Sequence, residues 1–151
     1  MGKKKKKILV TGCFDIIHPG HLFLIRQAAK RGEVYVIVAR DSTTQTHKKE
    51  APIVPEAQRL EVVRGLQHVK KAVLGNEGKN FMKKALSLDP DVILLGPNQR
   101  ISTDNLYKLL ESYGASDVEV ERLDEMYDKF ELNSSSAIKR KIKKEFQENN
   151  K

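Results

Sequence analysis

The feature that most limits what this chain can fold into is a repeated alternation of short apolar runs with amphipathic stretches. Ile8–Val10, Val34–Ala39, Ala72–Leu74, Asp91–Leu95 and Val118–Val120 read as strands. In the first four the apolar residues follow one another without a polar residue between, the pattern of strands covered on both faces. Between them lie stretches of helical period. One runs from Pro19 to about Arg31, with Leu22, Ile25 and Ala29 on one face and Gly32 at its end. Pro55 stands in the first turn of another that carries Leu60, Val63 and Leu66. Phe81–Leu88 is a short helix, and Ser102 or Thr103 caps one that continues through Leu110. A last helix starts near Ser134–Ser136 and passes through Ile138 and Ile142, while Asp41–Val54 reads as a polar loop. This order predicts an α/β fold: a Rossmann-like, doubly wound parallel sheet of about five strands with helices on both faces. Ligands of such sheets sit at the carboxyl ends of the strands, beside the switch in strand order, so the segments just after strands should carry the chemistry.

The length of 151 residues suits a single domain, 1–151, with a sizeable core. The apolar runs are too short to span a bilayer, and the Lys3–Lys7 run is not followed by an apolar stretch of signal-peptide length. We therefore expect a cytoplasmic protein with no membrane partner. A single cysteine, Cys13, excludes an intrachain disulfide and a cysteine-rich zinc site. The net charge of +8 invites a nucleic-acid reading, but its distribution argues against one. Residues 1–7 and 139–151 together carry +9, which leaves the body, 8–138, at −1. A nucleic-acid domain usually shows a basic stripe on its folded body; here the excess lies in a basic N-terminal tail, 1–7, and in the last helix. No nucleic-acid partner is expected.

The first strand runs into Thr11-Gly12-Cys13-Phe14-Asp15-Ile16-Ile17-His18-Pro19-Gly20-His21. Gly12 permits a close backbone approach, and Pro19 fits the first turn of a helix. His18 and His21, three residues apart, share a face there, and Gly20 puts no side chain between them. The amides and dipole of a helix start favour an anion. Imidazoles and amides thus converge on one small volume suited to a phosphate. Taken alone, a His-x-x-His pair reads more often as surface or capping histidines. A metal pair has no third ligand at a recognisable spacing, and no metal site is expected.

The whole segment resembles the cytidylyltransferase-like nucleotidyltransferases, which carry a His-x-Gly-His signature after a strand and a Gly-Thr-Phe-Asp or Gly-Cys-Phe-Asp turn. The resemblance continues through Ala39-Arg40-Asp41 and through Lys48-Lys49-Glu50-Ala51-Pro52-Ile53-Val54-Pro55-Glu56-Ala57-Gln58-Arg59. It reaches Leu95-Gly96-Pro97-Asn98-Gln99, where the family has Gly-x-Asp, and Ser134-Ser135-Ser136-Ala137-Ile138, which is similar to its Ser-Thr-Thr-x-Ile motif. The resemblance implies catalytic roles for His18, His21 and Lys48, although Lys49 stands where the family has Gly. It implies nucleotide or phosphate contacts for Gly12, Cys13, Phe14, Asp15, Gly20, Arg59, Gly96, Asn98, Ser134, Ser135 and Ser136. The helix over 134–148 would receive the β- and γ-phosphates.

The implied reaction moves AMP or CMP from ATP or CTP to a phosphorylated acceptor, with release of pyrophosphate and with Mg²⁺ carried by the nucleotide. The central stretch, with Pro52-Ile53-Val54-Pro55-Glu56 and Pro90-Asp91-Val92-Ile93-Leu94-Leu95-Gly96, is most similar to the archaeal-type FAD synthase branch, which implies FMN as acceptor. Glycerol-3-phosphate cytidylyltransferases and the nucleotidyltransferases of ADP-heptose synthesis share much of the pattern. A nucleotide-binding module without turnover is the alternative of another class. Many members form homodimers, and the resemblance carries that expectation.

Overall fold

The computed structural model describes residues 4–47, 51–78 and 81–151. Its elements are β1 (Lys7–Gly12), α1 (Pro19–Ala29), β2 (Glu33–Val38), α2 (Asp41–His47), α3 (Glu56–Arg64), β3 (Val69–Leu74), α4 (Met82–Ser87), β4 (Val92–Leu95), α5 (Thr103–Ser112), β5 (Glu119–Arg122) and α6 (Ser135–Asn149). The five strands form one parallel sheet in the order β3-β2-β1-β4-β5. The chain winds outward from β1 in one direction and then, from β4, in the other. The switch point therefore lies between β1 and β4.

Continuous apolar runs are what such a sheet needs. Ile8, Leu9 and Val10 of β1 are all fully buried, although neighbouring side chains point to opposite faces. Ile8 and Val10 join Ile25 and Ala28 of α1 and Leu60 and Val63 of α3 on one face. Leu9 joins Met82 and Ala85 of α4 and Leu106 and Leu110 of α5 on the other. Each fully buried leucine of this kind stabilises the fold by roughly 1.5–3 kcal/mol relative to exposure. The edge strand β3 carries exposed Lys70 and Lys71, charges that discourage pairing with another strand.

Three sequence readings change. The N-terminal half of the expected Asp41–Val54 loop is helix α2; Thr44, whose hydroxyl donates to the Asp41 carbonyl at 2.9 Å, is buried. Its polar composition hid it, because a short helix this close to a ligand cleft buries little apolar surface. Pro55 is the residue before α3 rather than in its first turn. The basic tail ends one residue early, since Lys7 already pairs with Glu33 across β1 and β2.

Candidate active site

At the end of β1 the chain makes a sharp turn. Phe14 adopts φ +55°, in the left-handed region, yet its side chain is buried. A non-glycine residue held there costs on the order of 1–3 kcal/mol, a strain that persists only where packing over-determines it. The Phe14 ring lies over Gly12, where an added Cβ would meet its Cε2 atom at 3.0 Å. Gly12 is thus the seat of the ring, and the turn delivers the chain to α1.

The capping reading and the functional reading of His18 and His21 describe one geometry. His18 is the N-cap of α1: its Nδ1 accepts from the Gly20 amide at 3.1 Å. His21 Nδ1 accepts from the His18 amide at 3.3 Å. A neutral imidazole that accepts at Nδ1 carries its proton on Nε2. Both rings are therefore set as Nε2–H donors, and they stack with centroids 3.7 Å apart. Burial pushes the His18 pKa down, which favours the neutral ring at neutral pH. Because the unfolded chain takes up that proton more readily, the contribution is full above the ordinary imidazole range and is lost as pH falls toward the folded value. The Asp15 carboxyl, held below its usual range, adds acid loss of the same sign at lower pH. We expect the denaturation midpoint to fall from about pH 7 to about pH 5, and to fall less in His18→Asn, which caps without titrating. An identical decline in both proteins would remove His18 from this account.

Asp15 and Arg59 stand behind the cleft. Net, the Asp15 carboxyl is held down: desolvation by burial acts to raise its pKa, and hydrogen bonds from Lys139 and two amides outweigh it. Its oxygens accept from the Val54 amide at 2.8 Å and the Ile53 amide at 3.0 Å, and Lys139 Nζ lies at 2.5 Å. That carboxylate fastens the 53–54 segment and α6 to the turn. Arg59, expected at the phosphate, is instead fully buried. Its guanidinium donates to the carbonyls of Cys13 (2.6 Å), Val54 (2.8 Å) and Ala39 (2.8 Å) and to Asp41 Oδ1 (2.7 Å). With four acceptors satisfied inside the protein, Arg59 ties the ends of β1 and β2 to α2 and α3. Its contribution is to hold the loops that reach the cleft.

The start of α6 docks on the same turn. Ser134 caps it, accepting from the Ala137 amide at 3.0 Å. The Ser135 hydroxyl donates to the Ile16 carbonyl at 3.0 Å and accepts from the Ile16 amide at 3.3 Å, two residues from His18. Ser136 is exposed. A Cβ on Gly20 would lie 2.8 Å from the Asn133 carbonyl oxygen and 2.9 Å from His18 Cε1, so only glycine lets the two helix starts approach this closely. In an ordinary helix Gly→Ala gains up to about 1 kcal/mol. Here the clash opposes that gain. We expect Gly20→Ala to fold with stability near that of the parent but to lose most turnover and affinity for pyrophosphate. Normal turnover in the folded variant would separate the start of α6 from the chemistry.

Two cavities flank the switch point. One, about 420 Å³, is lined by His18, Gly20 and His21, by Gly96, Pro97 and Asn98 after β4, by Met126 and Tyr127, and by Asn133 and Ser134. The other, about 320 Å³, lies on the α4–α5 side, with Thr11, Gly12 and Cys13 at one edge and Ile37, Phe81, Ile93, Leu95, Ile101 and Leu106 as apolar walls. Gly96 and Asn98 thus line the same cavity as the histidines; Asn98 Nδ2 lies 3.5 Å from Met126 Sδ. Gly12 and Cys13 line the other one. Lys48 and Lys49 lie outside the described residues. The sequence reading passed over Gln99, Arg40 and the wall of the second cavity. Gln99 had a signal in its place beside Gly96-Pro97-Asn98. The apolar walls looked like ordinary core residues.

A cleft at the switch point, with paired imidazole donors and two helix starts facing it, defines a nucleotide-handling α/β protein. The chain belongs to the cytidylyltransferase-like family, whose model matches residues 9–141. It is a nucleotidyltransferase. It is 41% identical over 143 residues to the FAD synthase of Methanobrevibacter smithii, covering 92% of both chains. It is 47% identical over 109 residues to the FAD synthase of Methanosarcina mazei, covering 72% of this chain and 70% of that one. Among solved structures, the lipopolysaccharide core biosynthesis protein of Thermoplasma volcanium superposes with a TM-score of 0.77 at 35% identity, over 82% of this chain and 99% of that one.

Proposed function

We propose that the chain is an FAD synthase, which transfers AMP from ATP to the phosphate of FMN and releases pyrophosphate. One observation carries the choice of acceptor: the second cavity is walled by Ile37, Phe81, Ile93, Leu95, Ile101 and Leu106, with Arg40, Thr43 and Gln99 as polar groups among them. A flat, largely apolar ring with a polar edge matches that lining. A glycerol or sugar phosphate would leave the apolar walls unfilled. The identity to FAD synthases over most of the chain supports the same reading.

In this reading ATP occupies the cavity at His18 and His21. An oxygen of the FMN phosphate forms a bond to the α-phosphorus, the bond from that phosphorus to the bridging oxygen breaks, and pyrophosphate leaves. No protein nucleophile is required; positioning and charge stabilisation do the catalysis. The Nε2–H donors of His18 and His21 face the charge that grows on the α-phosphate and bridging oxygens. Lys48, which lies outside the described residues, would add a cation. The amides at the start of α6 and the hydroxyls of Ser134 and Ser136 receive the pyrophosphate, while the Ser135 hydroxyl, donating to the Ile16 carbonyl, holds that helix start in place. Mg²⁺ brought by the nucleotide would be held mainly by phosphate oxygens and water and would neutralise phosphate charge, since the Asp15 carboxylate is already taken by two amides and Lys139.

The test is a panel of FMN, glycerol 3-phosphate and a heptose phosphate, each with ATP and with CTP, read by pyrophosphate release. FMN with ATP should exceed every other pair by at least about tenfold, a gap within the reach of pocket complementarity. A sugar phosphate as the best acceptor would overturn the choice of FMN and leave the reaction class standing.

A further inference from the structure

The two cavities share one wall. Gly96, Pro97 and Asn98 line the histidine cavity, and Gln99 and Ile101 line the apolar one. They belong to one segment, 96–101, of the connection 96–102 between β4 and α5. Two side chains hold it. Gln99 spans the switch point: its Oε1 accepts from the Gly96 amide at 2.7 Å, and its Nε2 lies 3.3 Å from both the carbonyl and the hydroxyl of Thr11 at the end of β1. Arg122, at the end of β5, donates to the carbonyls of Gly96 and Gln99, each at 3.0 Å, and to that of Ile101. Among the described residues no carboxylate lies within ion-pair distance of Arg122, so its fork is spent on backbone alone.

We propose that Arg122 and Gln99 are positioning residues that fix the 96–101 connection and thereby set the nucleotide and the acceptor at reacting distance from each other. Arg122 lines neither cavity and need not touch a substrate. A guanidinium with three carbonyls fixes both position and orientation of a loop, because its donors point in set directions. The carboxamide of Gln99 then ties that loop to β1, the strand that delivers the histidines. The inference rests on the two-substrate reading of the cavities and not on the identity of the acceptor.

The split between rate and binding tests it. In Arg122→Met and in Gln99→Ala, kcat should fall by roughly tenfold to a hundredfold, the scale of a misplacement near 1 Å. In Arg122→Met the KM values for nucleotide and acceptor should move by less than about threefold, since Arg122 lines neither cavity. Arg122→Lys, which can still reach part of the carbonyl set, should recover part of kcat. A role confined to folding would lower the melting temperature and leave kcat of the folded protein unchanged, which would overturn the proposal. The acceptor that the parent protein turns over best is used, so the wrong choice of FMN does not spoil the test. Binding of α,β-methylene-ATP and of that same acceptor, singly and together, adds a measure that needs no turnover. Each ligand should raise the affinity of the parent protein for the other by several-fold, and Arg122→Met should abolish that coupling. Equal coupling in both proteins, or none in the parent, counts against the shared wall. A parent protein with coupled binding but no turnover would refute the enzyme reading alone.

Discussion

His21→Ala is expected to lower turnover by about 10²–10³ while leaving nucleotide affinity close to that of the parent. One donor aimed at developing charge is worth that much in rate, and an interaction realised in the transition state appears in kcat rather than in ground-state binding. The structure adds a reason to expect the donor at the right atom. His21 Nδ1 is taken by the His18 amide, so the proton resides on Nε2. The same bond caps α1, and its loss costs about 0.5–2 kcal/mol of stability; the assay therefore belongs well below the melting temperature. His68, exposed at the amino end of β3 with φ +77°, supplies the control. His68→Asn should keep full turnover, because Asn tolerates the left-handed backbone. If both variants match the parent enzyme in rate, the signature has no catalytic part.

Arg59→Met should destabilise the protein by about 2–4 kcal/mol, since each enclosed acceptor left without its donor costs roughly 1–3 kcal/mol. The guanidinium is enclosed, and its removal strands Asp41 Oδ1 and the carbonyls of Cys13, Ala39 and Val54. A residue that touched phosphate would behave in the opposite way, with affinity lost and stability kept. Chemical denaturation and nucleotide titration of the same preparation decide between them. Loss of affinity without loss of stability would return Arg59 to the phosphate.

The sheet was legible because parallel strands buried on both faces write themselves as short apolar runs, and Ile8–Val10 and Val92–Leu95 are of that kind. The histidine loop was legible because a turn, a proline and a glycine at fixed spacing leave few conformations. Gly20 was read as space between the rings, and the structure gives that space its occupant in the Asn133 carbonyl. Helix α2 escaped because residues such as Asp41, Ser42, Thr43 and Thr44 look like loop, and only the burial of Thr44 and the contacts of Asp41 with Glu56 and Arg59 favour a helix there. Arg59 was misplaced for a related reason: sequence shows a cation and not which acceptors surround it. Arg122 sits in Glu119-Val120-Glu121-Arg122, where nothing marks one charged residue of an edge strand as the holder of a loop. Pairing across the sheet, which brings residue 122 beside residue 96, is invisible along the chain.

The most direct test of the central claim follows the α-phosphate. The purified protein is given ATP labelled at that phosphorus, together with Mg²⁺ and FMN, and the products are separated. The account predicts label in a dinucleotide with the mass of FAD, unlabelled pyrophosphate in equal amount, and loss of both products in His21→Ala. Label recovered as free AMP, or left in ATP with every phosphorylated acceptor offered, would contradict it.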